Sequence, residues 1–512
     1  MNIKEKIDDL LKYCSSYQGH TYMMDERRED QTFQVLLPEE QDIMEHMDKL
    51  QFVLLTGEAG DGKSRLLRSL NQQLLRHEFE IYTDFSAMSE TEKQEVLQVI
   101  SNIVSGETEK HIIIAANIGI FTKSVLRYQP GLLEKLDIDN EKVRIINFEK
   151  RNLASDKEVF AQIIKGFLEY DGFECQECSI CGQCVFRNNL EYIRTESGIE
   201  SIRILCDAVY LIGEHITFRE LLSMVAYMIT FGENCYDRKN IPSSLLSSRS
   251  YENIFNFDND RILQHIKRMD PAHAKFGLNM YDSIETCITQ KRNAFFKETG
   301  DKYALLNIDY LPEFREAIRF FQEKAYTDSS AIQQGVLYSL KRGLGRLTRK
   351  GQSDLGMTVV DTPAMLGDKI QTEFELGNMD IVWNRYGLDF NNLNEKKIKE
   401  ESRNRFCMSY IYNDSKGQIK SITMVIDYRL FRYLMMANDY YYLGHSNQSV
   451  EEYTINTFFR KILKTRKDIY GKMLVKFTEK NEEGVCNFSL SLQKKNSILF
   501  PGEKIVKLKR EG

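Results

Sequence analysis

The stretch that decides the fold is Gln51–Leu67, QFVLLTGEAGDGKSRLL, where an apolar run leads into a glycine-rich turn and then into a helical pattern. Phe52–Leu55 has the length and composition of a buried strand, and leucines return at helical spacing after the turn. The fixed positions of the G-x-x-x-x-G-K-[ST] pattern are filled by Gly57, Gly62, Lys63 and Ser64. The sequence therefore predicts a strand, a phosphate-binding loop and a helix in direct succession.

Each residue type in this loop has a physical reason. Glycine at positions 57, 60 and 62 permits backbone conformations closed to residues with a Cβ, so that successive N–H groups can turn toward a phosphate. Lys63 adds a mobile positive charge for the β- and γ-phosphates, and the Ser64 hydroxyl is suited to ligate Mg²⁺. The helix that starts near Lys63 directs the positive end of its dipole at the same anion. We therefore expect ATP and Mg²⁺ here, and the alternative is an ordinary glycine-rich turn between a strand and a helix.

The predicted nucleotide contacts cover the whole loop and the residue after it. They are Gly57, Glu58, Ala59, Gly60, Asp61, Gly62, Lys63, Ser64 and Arg65. Lys63 is also the first of three predicted catalytic residues, because its positive charge can contact the β- and γ-phosphates.

A second predicted catalytic residue is an acid at the end of the next strand. Phe79–Asp84 reads as a strand that ends in Asp84, and an acid at the carboxyl end of a neighbouring parallel strand can hold Mg²⁺ through water. Phe85 stands where a second acid is often found, so the pattern is incomplete. The alternative for Asp84 is a turn residue at the strand end.

The third predicted catalytic residue is Asn117, at the end of the apolar strand His111–Asn117. Its uninterrupted isoleucines are typical of a parallel strand covered on both faces. A polar residue at that point can reach the γ-phosphate or position the attacking water, a role named sensor 1 in AAA+ ATPases; a turn-forming asparagine is the alternative. Val143–Phe148 is a further strand, which completes an α/β unit.

Four cysteines form the second strong pattern. They have the spacing C-x₂-C-x₂-C-x₂-C and are Cys175, Cys178, Cys181 and Cys184. Paired C-x₂-C knuckles commonly bind a structural zinc ion, although the two pairs are unusually close here. An iron–sulfur cluster is the rival interpretation, and the absence of any metal is the third.

A capping box predicts a helix start at Thr217, with Glu220 as its partner. Arg219 then lies in the first turn, where a positive side chain opposes the helix dipole. In AAA+ proteins a lid-helix arginine, sensor 2, leans over the nucleotide, and we expect Arg219 to contact the cofactor in this way. A solvated arginine is the alternative.

Composition limits the class of protein. The chain has 512 residues, 42% hydrophobic and 28% charged, which is ordinary for a soluble globular protein of about three domains. No apolar run reaches membrane-spanning length, and the N-terminus does not resemble a signal peptide, so we expect a cytoplasmic protein without membrane contact. The net charge of −6 gives no overall attraction for nucleic acid. Contact with DNA would therefore need a local patch, and KRGLGRLTRK at Lys341–Lys350 is the most basic stretch.

The chain as a whole resembles DptF, the P-loop component of phosphorothioation-dependent DNA restriction systems. The resemblance is carried by GEAGDGKS at Gly57–Ser64, the cysteine cluster, HITFRELL at His215–Leu222 and MDPA at Met269–Ala272. It implies an ATP-driven subunit of an antiphage restriction complex that acts on DNA lacking the phosphorothioate mark. DptG-like and DptH-like subunits are the implied partners, with DNA contacted directly or through the complex, and a homo-oligomer is left open. A nucleotide-gated switch or scaffold with little turnover is the alternative, and a redox-sensing cluster protein is a third reading.

The predicted fold class is an α/β P-loop NTPase domain, AAA+-like, with a cysteine-rich insertion, a helical middle region and a β-rich C-terminal domain. Five segments are predicted: a helical lead-in (1–50), the P-loop core (51–155), the cysteine-rich insertion with a helical lid (156–235), a helical region (236–355) and the β-rich domain (356–512). The last assignment rests on alternating segments that begin near Met357.

Overall fold

The structure is a computed structural model of the chain. It describes residues 3–15, 35–136, 140–169, 184–235, 250–256, 261–274, 284–298, 300–323, 333–348, 357–361, 370–376, 381–384, 404–413, 417–439, 472–481, 484–496, 501–511 and, in part, 450–462. The chain divides into two compact units. The first consists of Met1–Tyr210 and Glu214–Ile308, and the second consists of Leu211–Gly213 and Asp309–Gly512. The five-segment division stays a prediction.

The first unit contains a parallel sheet of four strands in the order β2-β3-β1-β4. Its helices and strands follow in this order: α1 Ile3–Ser15, α2 Pro38–His46, β1 Phe52–Thr56, α3 Lys63–Ser69, α4 Asn71–Arg76, β2 Phe79–Tyr82, α5 Glu90–Val104, β3 His111–Ala116, α6 Ile118–Tyr128, α7 Leu132–Leu136, β4 Val143–Asn147, α8 Lys157–Phe167, α9 Val185–Ile193, α10 Glu196–Leu211 and α11 Phe218–Thr230. Helices Arg261–Arg268 and Ile284–Lys297 follow. The predicted α/β domain is thus confirmed.

Helices cover both faces of this sheet. Phe52 and Leu54 of β1 point into a core shared with α5, α6 and α7, whereas Val53 and Leu55 point into a core shared with α2, α3 and α4. All five residues of β1 are buried, as expected for a central parallel strand. Because parallel strands share a direction, the residues after β1, β2, β3 and β4 all emerge at one edge, which we name the carboxyl edge.

Local capping explains where several helices begin. Ser89 accepts the Glu92 N–H at 3.3 Å and forms the capping box that starts α5. Thr217 and Glu220 form the capping box predicted for α11, with Glu220 Oε2 accepting the Thr217 N–H at 2.7 Å. These caps satisfy backbone N–H groups that have no partner within a helix. The start of α11 could therefore be predicted from a pattern of four residues.

The second unit combines helices with antiparallel strands. Its helices are Leu311–Glu323, Tyr338–Thr348 and Tyr428–Asp439. Three strands form one sheet in the order β7-β8-β9, and five form another in the order β12-β11-β10-β6-β5. The strand bounds are β5 Met357–Asp361, β6 Ile370–Leu376, β7 Ile381–Asn384, β8 Phe406–Asn413, β9 Ile419–Ile426, β10 Lys472–Asn481, β11 Gly484–Asn496 and β12 Pro501–Glu511.

The predicted basic stretch begins inside the helix Tyr338–Thr348 and is partly a packing surface. A Cβ on Gly343 would clash with the main-chain carbonyl of Leu434, so this glycine lets the helix lie directly against Tyr428–Asp439. Arg349 and Lys350 lie outside the described residues. No helix in the described part of the chain is both long and apolar enough to span a membrane.

Candidate functional site

The loop Gly57–Ser64 joins β1 to α3 at the carboxyl edge. Gly57, Gly60 and Gly62 have φ values of +148°, +101° and +93°, which L side chains rarely adopt. Gly62 is the N-cap residue of α3, which starts at Lys63 as predicted. The side chains of Glu58, Ala59 and Ser64 are exposed at the surface of the loop. The three glycines therefore fold the backbone into a turn that residues with a Cβ could not form without strain.

Lys63 folds back over this loop. Its Nζ donates to the main-chain oxygens of Gly57 and Glu58 at 2.8 and 2.7 Å. Burial lowers the pKa of Lys63, while the carboxylates of Asp61, Glu149, Asp84 and Glu58 raise it. A partly desolvated ammonium is thus held at the centre of the loop by neutral carbonyl groups and by nearby negative charge.

Asp61 is the buried polar residue of the loop. Its Oδ2 accepts the Glu58 N–H at 2.6 Å, and its Oδ1 lies 2.7 Å from His215 Nε2. Because a carboxylate only accepts hydrogen bonds, His215 Nε2 is the donor in this contact. The main-chain oxygen of Asp61 accepts from Arg151 Nη2 at 2.6 Å. The Asp61 side chain thus faces the protein, and its predicted role as a cofactor contact stays a prediction.

Arg151 is buried and contacts the loop from the protein interior. Its guanidinium lies 4.7 Å from the centre of the Phe148 ring, and its Nε is 3.8 Å from Glu39 Oε1. Burial is the largest influence on the pKa of Arg151 and lowers it. A Cβ on Gly57 would lie 3.0 Å from Phe148 Cβ, so the segment after β4 presses on the start of the loop.

Arg65 points away from the loop. Its Nη1 donates to the buried Glu40 Oε1 at 2.9 Å, and its Nη2 donates to the Val35 oxygen at 2.6 Å. The guanidinium also lies 5.7 Å from the Phe218 ring centre. In this arrangement Arg65 joins α3, α2 and α11, and its predicted nucleotide contact stays untested.

The two strand-end candidates both serve as caps. Asp84 lies beyond the end of β2 and accepts the Ser86 N–H at 2.9 Å, while Asn117 starts α6 by accepting the N–H groups of Gly119 and Ile120 at 3.0 and 3.2 Å. Both side chains are exposed at the carboxyl edge. With strands about 4.8 Å apart, the end of β3 is about 5 Å and that of β2 about 10 Å from the end of β1. Asn117 is therefore placed between the loop and Asp84.

The start of α11 stands against the loop. The Arg219 N–H donates to the Gly60 oxygen at 3.0 Å, and a Cβ on Gly60 would lie 3.0 Å from Arg219 Cβ. The Arg219 side chain itself is exposed. The structure thus brings Arg219 to the loop Gly57–Ser64, although the two are far apart in sequence.

Three residues of this site were missed by sequence reasoning. Glu149 has a recognisable signal, because it is an acid two residues beyond a strand next to β1. His215 lies in a quoted segment, but nothing local assigned it a role. Arg151 follows the same strand end as Glu149 and has no pattern of its own.

The cysteine cluster is only partly described. Cys184 is buried and is the N-cap residue of α9, whereas Cys175, Cys178 and Cys181 lie outside the described residues. Within the described ranges, no group of three or more His, Cys, Asp or Glu side chains is arranged to hold a metal ion. Zinc, with an iron–sulfur cluster as its alternative, stays a prediction.

Comparisons of the chain with protein-family models, with curated proteins and with solved structures find no significant match.

Proposed function

We propose that the chain binds ATP with Mg²⁺ at Gly57–Ser64 and hydrolyses it, as the ATP-driven subunit of a multi-protein DNA restriction complex that acts on DNA without phosphorothioate marks. The observation that carries nucleotide binding is the turn of three positive-φ glycines with the Lys63 ammonium at its centre. A half-buried ammonium next to a backbone bent in this way is suited to a phosphate anion.

The chemistry assigned to each group follows from its place at the carboxyl edge. Lys63 would exchange its loop carbonyls for phosphate oxygens, and the exposed Ser64 hydroxyl would ligate Mg²⁺. Asp84 would hold the ion through water, and Asn117 would orient the attacking water with its amide N–H₂, since its Oδ1 already caps α6. Bound Mg²⁺ would neutralise charge that develops on the phosphates.

The restriction role rests on the resemblance to the DptF family. DptG-like and DptH-like subunits are the proposed partners, and DNA is reached through them or through the basic stretch Lys341–Lys350. Phosphate contacts by such a stretch would give affinity that falls with salt, without sequence preference.

A nucleotide-gated switch with little turnover is the second candidate. The residues after β2 favour it. Asp84 Oδ1 already accepts the Ser86 N–H, and the position after Asp84 is held by the fully buried Phe85 instead of a second acid. Steady-state phosphate release, with and without DNA, separates a switch from an ATPase.

The central test is Lys63→Ala. Removing the ammonium should weaken binding of ATP with Mg²⁺ roughly 100-fold, or about 3 kcal/mol, as measured by titration calorimetry. Lys142→Ala is the matched control, because Lys142 is an exposed lysine of the same unit that precedes β4 at the opposite edge of the sheet. Equal ATP affinity in a folded Lys63→Ala variant, or no binding by the parent chain, would overturn the proposal.

A further inference from the structure

The start of α11 and the residues just before it are held against the phosphate loop by two hydrogen bonds. One is the hydrogen bond of 3.0 Å from the Arg219 N–H to the Gly60 oxygen, and the other is the contact of 2.7 Å between His215 Nε2 and Asp61 Oδ1. The two loop residues are adjacent, so both contacts hold the same short piece of backbone. Both contacts therefore tie the start of α11 to Gly60 and Asp61.

The approach is close enough to require glycine. A Cβ on Gly60 would lie 3.0 Å from Arg219 Cβ and 3.4 Å from Thr217 Oγ1, at a φ of +101°. The capping box of Thr217 and Glu220 fixes the residue at which α11 begins. The helix start thus has little freedom to slide relative to the loop.

His215 depends on Asp61 for its orientation. The other ring nitrogen, Nδ1, is buried and has no hydrogen-bond partner within the described residues. A buried nitrogen without a partner is unfavourable, so the bond to Asp61 is the polar contact that keeps the ring in place. Asp61 is itself held by the Glu58 N–H and by Arg151, which makes it a rigid anchor.

The contacts with Gly60 and Asp61 place Arg219 next to the loop. It is exposed in the first turn of α11, where the positive end of the helix dipole disfavours a cation. A negative group at the loop would stabilise both the guanidinium and the helix end. The terminal phosphate of a nucleotide in the loop is a group of that charge.

We propose that Asp61 and His215 are positioning residues, which hold the start of α11 so that the Arg219 guanidinium contacts the terminal phosphate of a bound nucleoside triphosphate. This inference rests on the proposed function. It assigns to the buried Asp61 and the partly buried His215 the ability of the site to distinguish a triphosphate from a diphosphate.

The test is a double-mutant cycle on the whole chain, with the ratio of the Kd for ADP to the Kd for ATP as the readout. Arg219→Ala should lower this ratio about tenfold, and His215→Ala should lower it about threefold or more. In the Arg219→Ala background, His215→Ala should leave the ratio unchanged, because the residue acts through the arginine. His215→Gln keeps a donor toward Asp61 and should restore most of the ratio. His77→Ala and Arg76→Ala, which lie before β2, are the matched controls.

A merely structural role for His215 gives a different result. His215→Ala would then weaken ATP and ADP equally, or its effect on the ratio would add to that of Arg219→Ala, and either outcome overturns the inference. If His215→Ala does not fold, His215→Phe keeps a ring without a donor and takes its place. Loss of binding by Lys63→Ala in the same assay shows that the nucleotide site stands even when the inference fails.

Discussion

The loop Gly57–Ser64 has different neighbours on the two sides of β1. On the β3 side, Asn117 and Asp84 are exposed, and each uses a side-chain oxygen to cap the segment that follows it. On the β4 side, Phe148 and Arg151 are buried and contact the loop itself. The β4 side therefore fixes the shape of the loop, and the β3 side leaves polar groups accessible for chemistry.

Gly57→Ala should have the largest effect, because its Cβ would meet both Asp61 of the loop and Phe148 on the β4 side. The new methyl would clash with Asp61 Oδ2 and crowd Phe148 at an unfavourable φ, which together should destabilise the first unit by on the order of 4 kcal/mol. Gly62→Ala is the matched control, since its Cβ would meet nothing within 4 Å and only the positive φ would remain. Denaturant unfolding measures both, and equal losses would show that neither Asp61 nor Phe148 restricts the space at Gly57.

Arg151→Met should come next. It keeps the stem of the side chain but removes the bond to the Asp61 oxygen and leaves Glu39 without its buried cation, for an expected loss of about 3 kcal/mol. Asn117→Ala on the β3 side should cost only about 1 kcal/mol, the usual effect of losing an N-cap. Unfolding midpoints of the two variants compare the sides directly. A larger loss for Asn117→Ala would reverse the assignment.

The remaining expected effects concern turnover and ATP affinity, not stability. Asp84→Asn should slow phosphate release about tenfold, or about 1.4 kcal/mol, while ATP affinity changes less, because the carboxylate is needed to hold Mg²⁺. Glu149→Gln on the β4 side should leave turnover near the parent rate and strengthen ATP binding a few-fold, since it removes a negative charge near the phosphates. If Glu149→Gln is the slower enzyme, the acid that holds the metal belongs to the β4 side.

Much of the local structure could be predicted from short patterns. The strand before the loop, the start of α3 at Lys63 and the capping box at Thr217 and Glu220 all depend on residues within a few positions of one another. Strand ends were less exact: β2 ends at Tyr82, because Asp84 turns to cap the next segment. Strands β7 and β10 of the second unit were not predicted.

By itself, the sequence determined the glycine-rich turn between β1 and α3, because glycines at fixed positions allow the positive φ values that this short segment needs. Only the tertiary structure showed that β1 lies between β3 and β4, since strand order depends on how distant segments pack. The same holds for the contacts of Asp61 with His215 and Arg151, which join residues about 90 or more positions apart. A buried carboxylate needs hydrogen-bond partners, and because the tertiary fold supplies them from distant segments, a local sequence pattern cannot predict them.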